Sequence, residues 1–379
     1  MSRRFIACLV ASLAPLCTAP AFGGTFTVVH RFDGADGSNP SAPLTVAGGR
    51  IVGTTLYGPS NGTAFELTKT GTLDVLHAFS NPGDGADPFS NLTALNGVLY
   101  GTTSSGGANS QGTIFSISPG GQETVLYSFA GPDDGRFPLS GLVAMDGVLY
   151  GATAAGGDGS CNGGSGCGVV YSFDPSSGTF ATVHRLSNDS GWYVSANLLP
   201  IRGTLYGTAT DGGAHGAGTV FAVKPTGAFK VLYSFTGGAD GGAPTAALTL
   251  VDGLFYGTAS SGGAKGSGVA FSLTPSGEET VLHSFGTRGD GIQPNSNLTY
   301  LGGKFYGTTT SGGASSGGTI FSITKSGQEV VERSLGHADG IFPADGLVAA
   351  KGVLYGTTYT GGSDGCGGHG CGTLFSYTP

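Results

Sequence analysis

The sequence predicts an all-β protein: a seven-bladed β-propeller of four-stranded antiparallel blades, closed by the N-terminal strand completing the last blade. Three observations carry this expectation. Gly supplies 74 of 379 residues, too many for helices, because Gly in a helix interior costs about 1 kcal/mol relative to Ala. A motif of roughly 50 residues recurs along the chain. The two ends of the chain are out of phase with that motif in a complementary way.

The repeat is read from its Gly slot. Gly101 sits in LYGTTSSGG, Gly151 in LYGATAAGG, Gly207 in LYGTATDGG and Gly257 in FYGTASSGG. Gly307 follows in FYGTTTSGG, Gly356 in LYGTTYTGG, and a weaker copy, IVGTT, holds Gly53. The spacings are 48, 50, 56, 50, 50 and 49 residues. In the second unit, strands are expected at 92–95, 98–103, 113–117 and 124–129. Asn96-Gly97 joins the first two, and Asp146-Gly147, Asp252-Gly253, Gly48-Gly49 and Gly302-Gly303 hold the same position. These pairs tolerate the two positive φ angles of a type I′ hairpin turn. Gly106-Gly107 opens the next loop, and Pro119-Gly120-Gly121 turns the third strand into the fourth.

A lone four-stranded meander cannot bury both apolar faces, whereas copies packed side by side can. An open solenoid or two smaller sheet domains would also bury them. The termini favour the ring. Residues 25–32, TFTVVHRF, match a fourth strand such as 124–129, and the chain stops at GTLFSYTP, a third strand. Pairing the two removes both sheet edges. Residues 22–379 are therefore expected to form one propeller, with 25–32 as its closing strand.

Residues 1–21 read as a secretory signal peptide. Arg3 and Arg4 precede an apolar stretch over 5–16, and Ala19-Pro20-Ala21 is a small-x-small site that places cleavage after Ala21. The context of Arg3-Arg4 is poor for a twin-arginine signal, and bulky Leu16 before Cys17 argues against lipidation. The mature chain is expected to be secreted or periplasmic. No other run is long and apolar enough to span a bilayer. A formal charge of −8 without a basic patch makes nucleic acid an unsuitable partner.

Together, the patterns G-x-[LF]-Y-G-T-T-x-x-G-G, G-T-[IV]-F-S-[IL], T-V-L-[YH]-S-F and D-G-x-x-P cover 25–379. They resemble the GloVer-type tandem repeat of exported bacterial proteins. The strand order is also similar to that of kelch-type propellers, without their signature Trp. The resemblance implies a repeat fold and export; it implies no chemistry.

Candidate site residues come from the connectors and loops. D-G-x-x-P recurs at Asp36, Asp84, Asp134, Asp240, Asp290 and Asp339. These residues would ring one face together with the Gly-Gly loops. Asp can fold onto nearby backbone N–H groups, Gly takes positive φ, and Pro starts the next strand, so the ring reads as structural rather than as a cation or sugar surface. The fourth connector, Asn188-Asp189-Ser190-Gly191-Trp192-Tyr193, lacks the Pro and holds the only Trp. Asp189, Trp192 and Tyr193 are the candidate ligand-binding residues, since aromatic side chains on a loop suit sugar rings or protein anchors. The competing role is a lid packed over the central channel.

Cys161 and Cys167, and likewise Cys366 and Cys371, occupy equivalent loops in units three and seven. In an exported chain these close pairs are expected to be disulfides. A zinc site with His369 would need four converging ligands, and units three and seven are not neighbours in a ring. His30, His77, His184 and His283 share a fourth-strand slot with Tyr127, Tyr233 and Arg333, which reads as sheet-edge filling. No catalytic residue, metal site or cofactor is assigned. The functional expectation is a monomeric, non-catalytic binding protein for a carbohydrate or an extracellular protein. The alternatives are a propeller lyase or hydrolase with its site at the channel mouth, and a purely structural surface protein.

Overall fold

The computed structural model describes residues 23–80, 83–287, 289–343 and 345–379. The expected signal peptide at 1–21 lies outside the described residues. Seven antiparallel sheets follow one another along the chain. In blade 2, Thr93–Leu95, Val98–Thr103, Thr113–Ile117 and Glu123–Ser128 pair in sequence order. Blade 1 spans 45–78, and blades 3 to 6 span 143–185, 199–234, 249–284 and 299–334. Blade 7 takes Val348–Ala350, Val353–Thr360 and Thr373–Thr378 from the C-terminal end and Thr25–Arg31 from the N-terminal end. The closing register runs from Thr25 opposite Thr378 to Arg31 opposite Thr373. The first strands of successive blades touch around the ring, so they line a central channel and the fourth strands form the outer rim.

The hairpin between first and second strands keeps two positive φ angles, 53° and 82° at Asn96-Gly97. The same geometry appears at Arg202-Gly203 (48° and 76°) and Lys351-Gly352 (51° and 81°). There the long side chains gave no turn signal, and the demands of the blade override local preference.

Each blade is built around one close approach. The Gly of its second strand faces an aromatic ring of its third. Gly53 pairs across from Phe65, Gly101 from Phe115 and Gly356 from Phe375. A Cβ at Gly101 would lie 2.5 Å from the Phe115 ring, and one at Gly307 would lie 2.7 Å from Phe321. No Cβ fits there, so only Gly lets the ring lie flat across its strand. The same rings are clasped edge-on by the preceding blade. Phe79 meets Phe115 at 5.0 Å, Phe129 meets Tyr171 at 5.2 Å, and Phe285 meets Phe321 at 5.0 Å. Phe32, just after the closing strand, clasps Phe65 of blade 1 at 5.3 Å. The N-terminal segment thus completes blade 7 and grips blade 1.

Two outcomes follow for stability. Deleting 25–32 removes a whole paired strand and the fully buried Phe32. The loss should exceed about 3 kcal/mol, the cost of truncating a single buried Phe. Circular dichroism and gel filtration should find the truncated protein unfolded or aggregated; a monomer as stable as the parent would refute closure. Tyr171 stands where the other blades have Phe, and its hydroxyl is buried with no hydrogen-bond partner. Tyr171→Phe should stabilise the protein by about 1 kcal/mol, read from the midpoint of denaturant unfolding.

Candidate functional site

The connector aspartates end the outer strands. Asp134 accepts from the N–H groups of Ala130 and Gly131, and Asp240 accepts from that of Thr236. The following Gly takes positive φ in five of the six connectors, such as 95° at Gly135 and 90° at Gly241, but not at Gly291. Each Asp also meets the fourth-strand slot that the sequence suggested was edge filling. His30 Nε2 lies 2.5 Å from Asp36, Tyr127 donates to Asp134 at 2.6 Å, and Tyr233 donates to Asp240 at 2.9 Å. His77 faces Asp84 at 3.4 Å, His283 faces Asp290 at 3.1 Å, and Arg333 grips both oxygens of Asp339 at 2.8 Å. The slot accepts His, Tyr and Arg because each donates to a carboxylate. The recurring separation of six or seven residues between slot and Asp was the available signal. Where the fourth connector replaces Asp with Ser190, His184 instead stacks on Phe229 at 4.2 Å.

A β-bulge precedes this slot in every blade and re-aims it toward the connector. A residue at the start of the next blade's fourth strand, four before that blade's own slot, completes the group. Phe180 stacks on Tyr127 at 4.1 Å, and Phe26 lies under Arg333 at 4.9 Å. Glu123, Glu279 and Glu329 occupy the same position, each with one carboxylate oxygen buried and unpartnered. Burial, then the charge of Asp84, Asp240 or Asp290 respectively, pushes these carboxyls up to about 7.

The residue before each connector Pro was not legible as special. Asn39, Asp87, Phe137, Ala243, Gln293 and Phe342, with Tyr193 in the Pro-less connector, all adopt φ between 52° and 60°. This left-handed conformation points the N–H back to the preceding blade. Phe137 N donates to Gln111 O at 3.1 Å, and Gln293 N to Ser267 O at 2.9 Å.

The structure separates the irregular aromatic pair. Tyr193 lines a cavity of about 360 Å³ in the central channel, at the connector end. Trp192 pairs with Asp211 and packs, half-buried, on the core cluster that contains Cys161 and Cys167. Asp189 is exposed on the same connector. Both expected disulfides are present, with Cα separations of 4.9 Å for Cys161–Cys167 and 5.3 Å for Cys366–Cys371.

The cavity wall comes from the short stretch after each connector. Phe89 and Tyr193 supply aromatic faces, and Asn91, Asn197, Asn295 and Asn297 supply amides. Small neighbours make room for them: a Cβ at Gly141 or Gly346 would lie 1.6 Å from the amide oxygen of Asn91 or Asn297. Asn197 Oδ1 accepts from Gly141 N at 2.8 Å. Asn91, 8% exposed, has an amide oxygen with no hydrogen-bond partner.

Asp345 breaks the repeat. Ser90, Ser140 and Ser296 hold its position in other blades and hydrogen-bond within them, as Ser296 Oγ does with Thr308 N at 2.7 Å. Asp345 instead lines the cavity, with its Oδ1 accepting from Gly346 N at 2.6 Å. Protein surrounds it although part of its surface opens to the lumen, and burial pushes its carboxyl up to about 7. Sequence reasoning missed it because aligning the connectors alone ends at the Pro. Comparing the second residue beyond that Pro would have found one Asp among Ala and Ser.

A family model described as the Gloeobacter/Verrucomicrobia repeat matches residues 18–165, 160–303 and 225–379. No curated protein sequence matches the chain. Among solved structures, the chain is similar to an oligogalacturonate lyase in complex with manganese, at 12% identity and TM-score 0.55, covering 94% of this chain and 91% of that one. It is similar to the GH74 enzyme of Niastella koreensis at 12% identity and TM-score 0.51, covering 85% and 50%. The tricorn protease matches at 14% identity and TM-score 0.45, covering 84% and 27%. The chain thus spans half or less of the length of these last two. At such identities the likeness shows the propeller fold alone.

The rim carboxyls make stability depend on pH. Glu279 moves from about 4.5 in the unfolded chain to about 7 in the fold. Across that window the folded chain holds a proton that the unfolded chain has released, so stability falls as pH rises. Glu279→Gln is neutral throughout. Its melting temperature should match wild type near pH 4 and exceed it at pH 8; an equal or lower value at pH 8 would show that the carboxylate is well accommodated.

Proposed function

The chain belongs to the Gloeobacter/Verrucomicrobia repeat family, and from that premise we propose that it is an exported, non-catalytic carbohydrate-binding protein whose ligand enters the connector end of the central channel. In a repeat protein the recurring residues build the scaffold, so a ligand is recognised by the residues that depart from the repeat. Here two departures converge on one cavity, Tyr193 in the Pro-less connector and Asp345 in a Ser slot, beside the amides of its wall. Sugar hydroxyls need acceptors and donors at close quarters, and pyranose faces suit aromatic rings. Asp345 carries this reading most directly, because it sets a carboxyl against the cavity at a position where three other blades hold Ser. Trp192 and Asp189 then shape and present the connector that holds Tyr193.

Two disulfides fit an oxidising compartment outside the cytoplasm, and no helix among the described residues is long and apolar enough to cross a membrane. The hydrolase alternative is less well supported. Glycoside hydrolysis generally uses two carboxyls about 5–10 Å apart, and Asp345 is the one carboxyl lining the cavity among the described residues.

A glycan array probed with the purified protein tests this reading. Neutral oligosaccharides should bind, and Asp345→Asn should weaken the best ligand about tenfold or more, the worth of a hydrogen bond to a charged group. Tyr193→Ala should weaken it comparably with little change in melting temperature. Affinity should fall as the pH drops from about 8 to about 5, because Asp345 loses its charge near 7. Absence of binding to any glycan, or binding indifferent to both substitutions, would refute the channel site.

A further inference from the structure

We propose that His283, Asp290 and Glu329 form a divalent transition-metal site, best suited to Zn²⁺, that ties blade 5 to blade 6 at the outer rim. The three residues come from three elements: the fourth strand of blade 5, the connector after it, and the start of the fourth strand of blade 6. One ligand atom from each lies within 4.8 Å of the other two. His283 Nε2 and Asp290 Oδ2 are 3.1 Å apart, close to the spacing of two ligands on one tetrahedral zinc, given metal–ligand bonds near 2.0–2.2 Å.

The group is built and aimed. Asp290 is 7% exposed, and its carboxylate is fixed by the N–H groups of Gly291 at 2.7 Å and Gly286 at 3.2 Å. Such outer hydrogen bonds orient a metal-binding carboxylate. Glu329 Oε1 is buried without a partner beside it. Two carboxylates and one imidazole carry a charge of −2 when ionised, which one divalent cation neutralises. The imidazole sets the preference for zinc over magnesium or calcium, which take oxygen ligands. On binding, the imidazole bonds through Nε2 in its Nδ1–H tautomer, and any proton on Glu329 passes to solvent.

Neighbouring blades supply natural controls. Blades 4 and 5 place Tyr233, Asp240 and Glu279 in the same positions, without a nitrogen ligand. Blades 2 and 3 place Tyr127 and Asp134 beside Phe180, with one carboxylate. Tyr therefore belongs to the slot that His283 occupies, and His283→Tyr should fold. The three side chains meet only across a blade boundary, so their spacing along the chain gives no metal-ligand signal.

The test is isothermal titration of the full-length, chelator-treated mature protein with zinc chloride. Wild type should bind zinc at micromolar concentrations with a rise in melting temperature. His283→Tyr, with its metal-free melting temperature unchanged, should lose one equivalent. Glu329→Gln should weaken that equivalent at least about tenfold, and Glu279→Gln should leave it intact. No binding at about 100 μM zinc, or zinc that His283→Tyr leaves in place and His77→Tyr removes, would overturn the assignment.

Discussion

The contact between a second-strand Gly and a third-strand aromatic ring underlies the rest of the architecture. With no Cβ on the Gly, the ring crosses its own sheet and presents an edge to the preceding blade. The final Phe of that blade's outer strand then clasps it. Phe79 on Phe115 and Phe285 on Phe321 are copies of one joint. Where the partner is Leu186 or Leu335 the position is still filled and buried. Because the joint links blades rather than strands within a blade, no blade is complete without its neighbour. Ring closure follows from the same demand: Phe32 supplies blade 1 with the clasp that every other blade receives from the one before it.

At the rim, the connector Asp is held by two sets of groups at once. Backbone N–H groups fold it inward, and a His, Tyr or Arg from the bulged strand donates to it. What the next blade adds decides the character of each boundary. Phe180 and Phe26 make it apolar through stacking and cation–π contact. Glu123, Glu279 and Glu329 instead bring a second carboxyl, which burial and the charge of the connector Asp make reluctant to ionise. One backbone design thus carries different chemistry around the ring, set by a single residue per blade.

The channel follows a different logic. Its wall is made where the repeat is least regular, just beyond the connectors. Small residues there are structural necessities, since Gly141 and Gly346 leave space for Asn91 and Asn297. Asp345, at a position where three other blades hold Ser, lines the lumen and brings a carboxyl to it. The irregular connector brings Tyr193 to the same cavity while Trp192 is absorbed into packing beside the Cys161–Cys167 disulfide.

Much of this was legible in the chain. Period, strand order, the Asn96-Gly97 type of turn, blade number and the closing strand follow from local rules: alternating apolar residues, glycine-tolerant turns and the phase of the two ends. Both disulfides were legible because their partners are close in sequence. The hairpins at Arg202 and Lys351 and the left-handed residues before the connector prolines were not, since strain at those positions is offset by hydrogen bonds to another part of the ring. Asp345 was visible as the odd residue two beyond its connector Pro, but that it shares a cavity with Tyr193, and that His283, Asp290 and Glu329 meet, was not. The members of each group are separated by whole strands or whole blades, and only the closure of the ring sets the distances at which carboxyl, amide and imidazole groups act on one another.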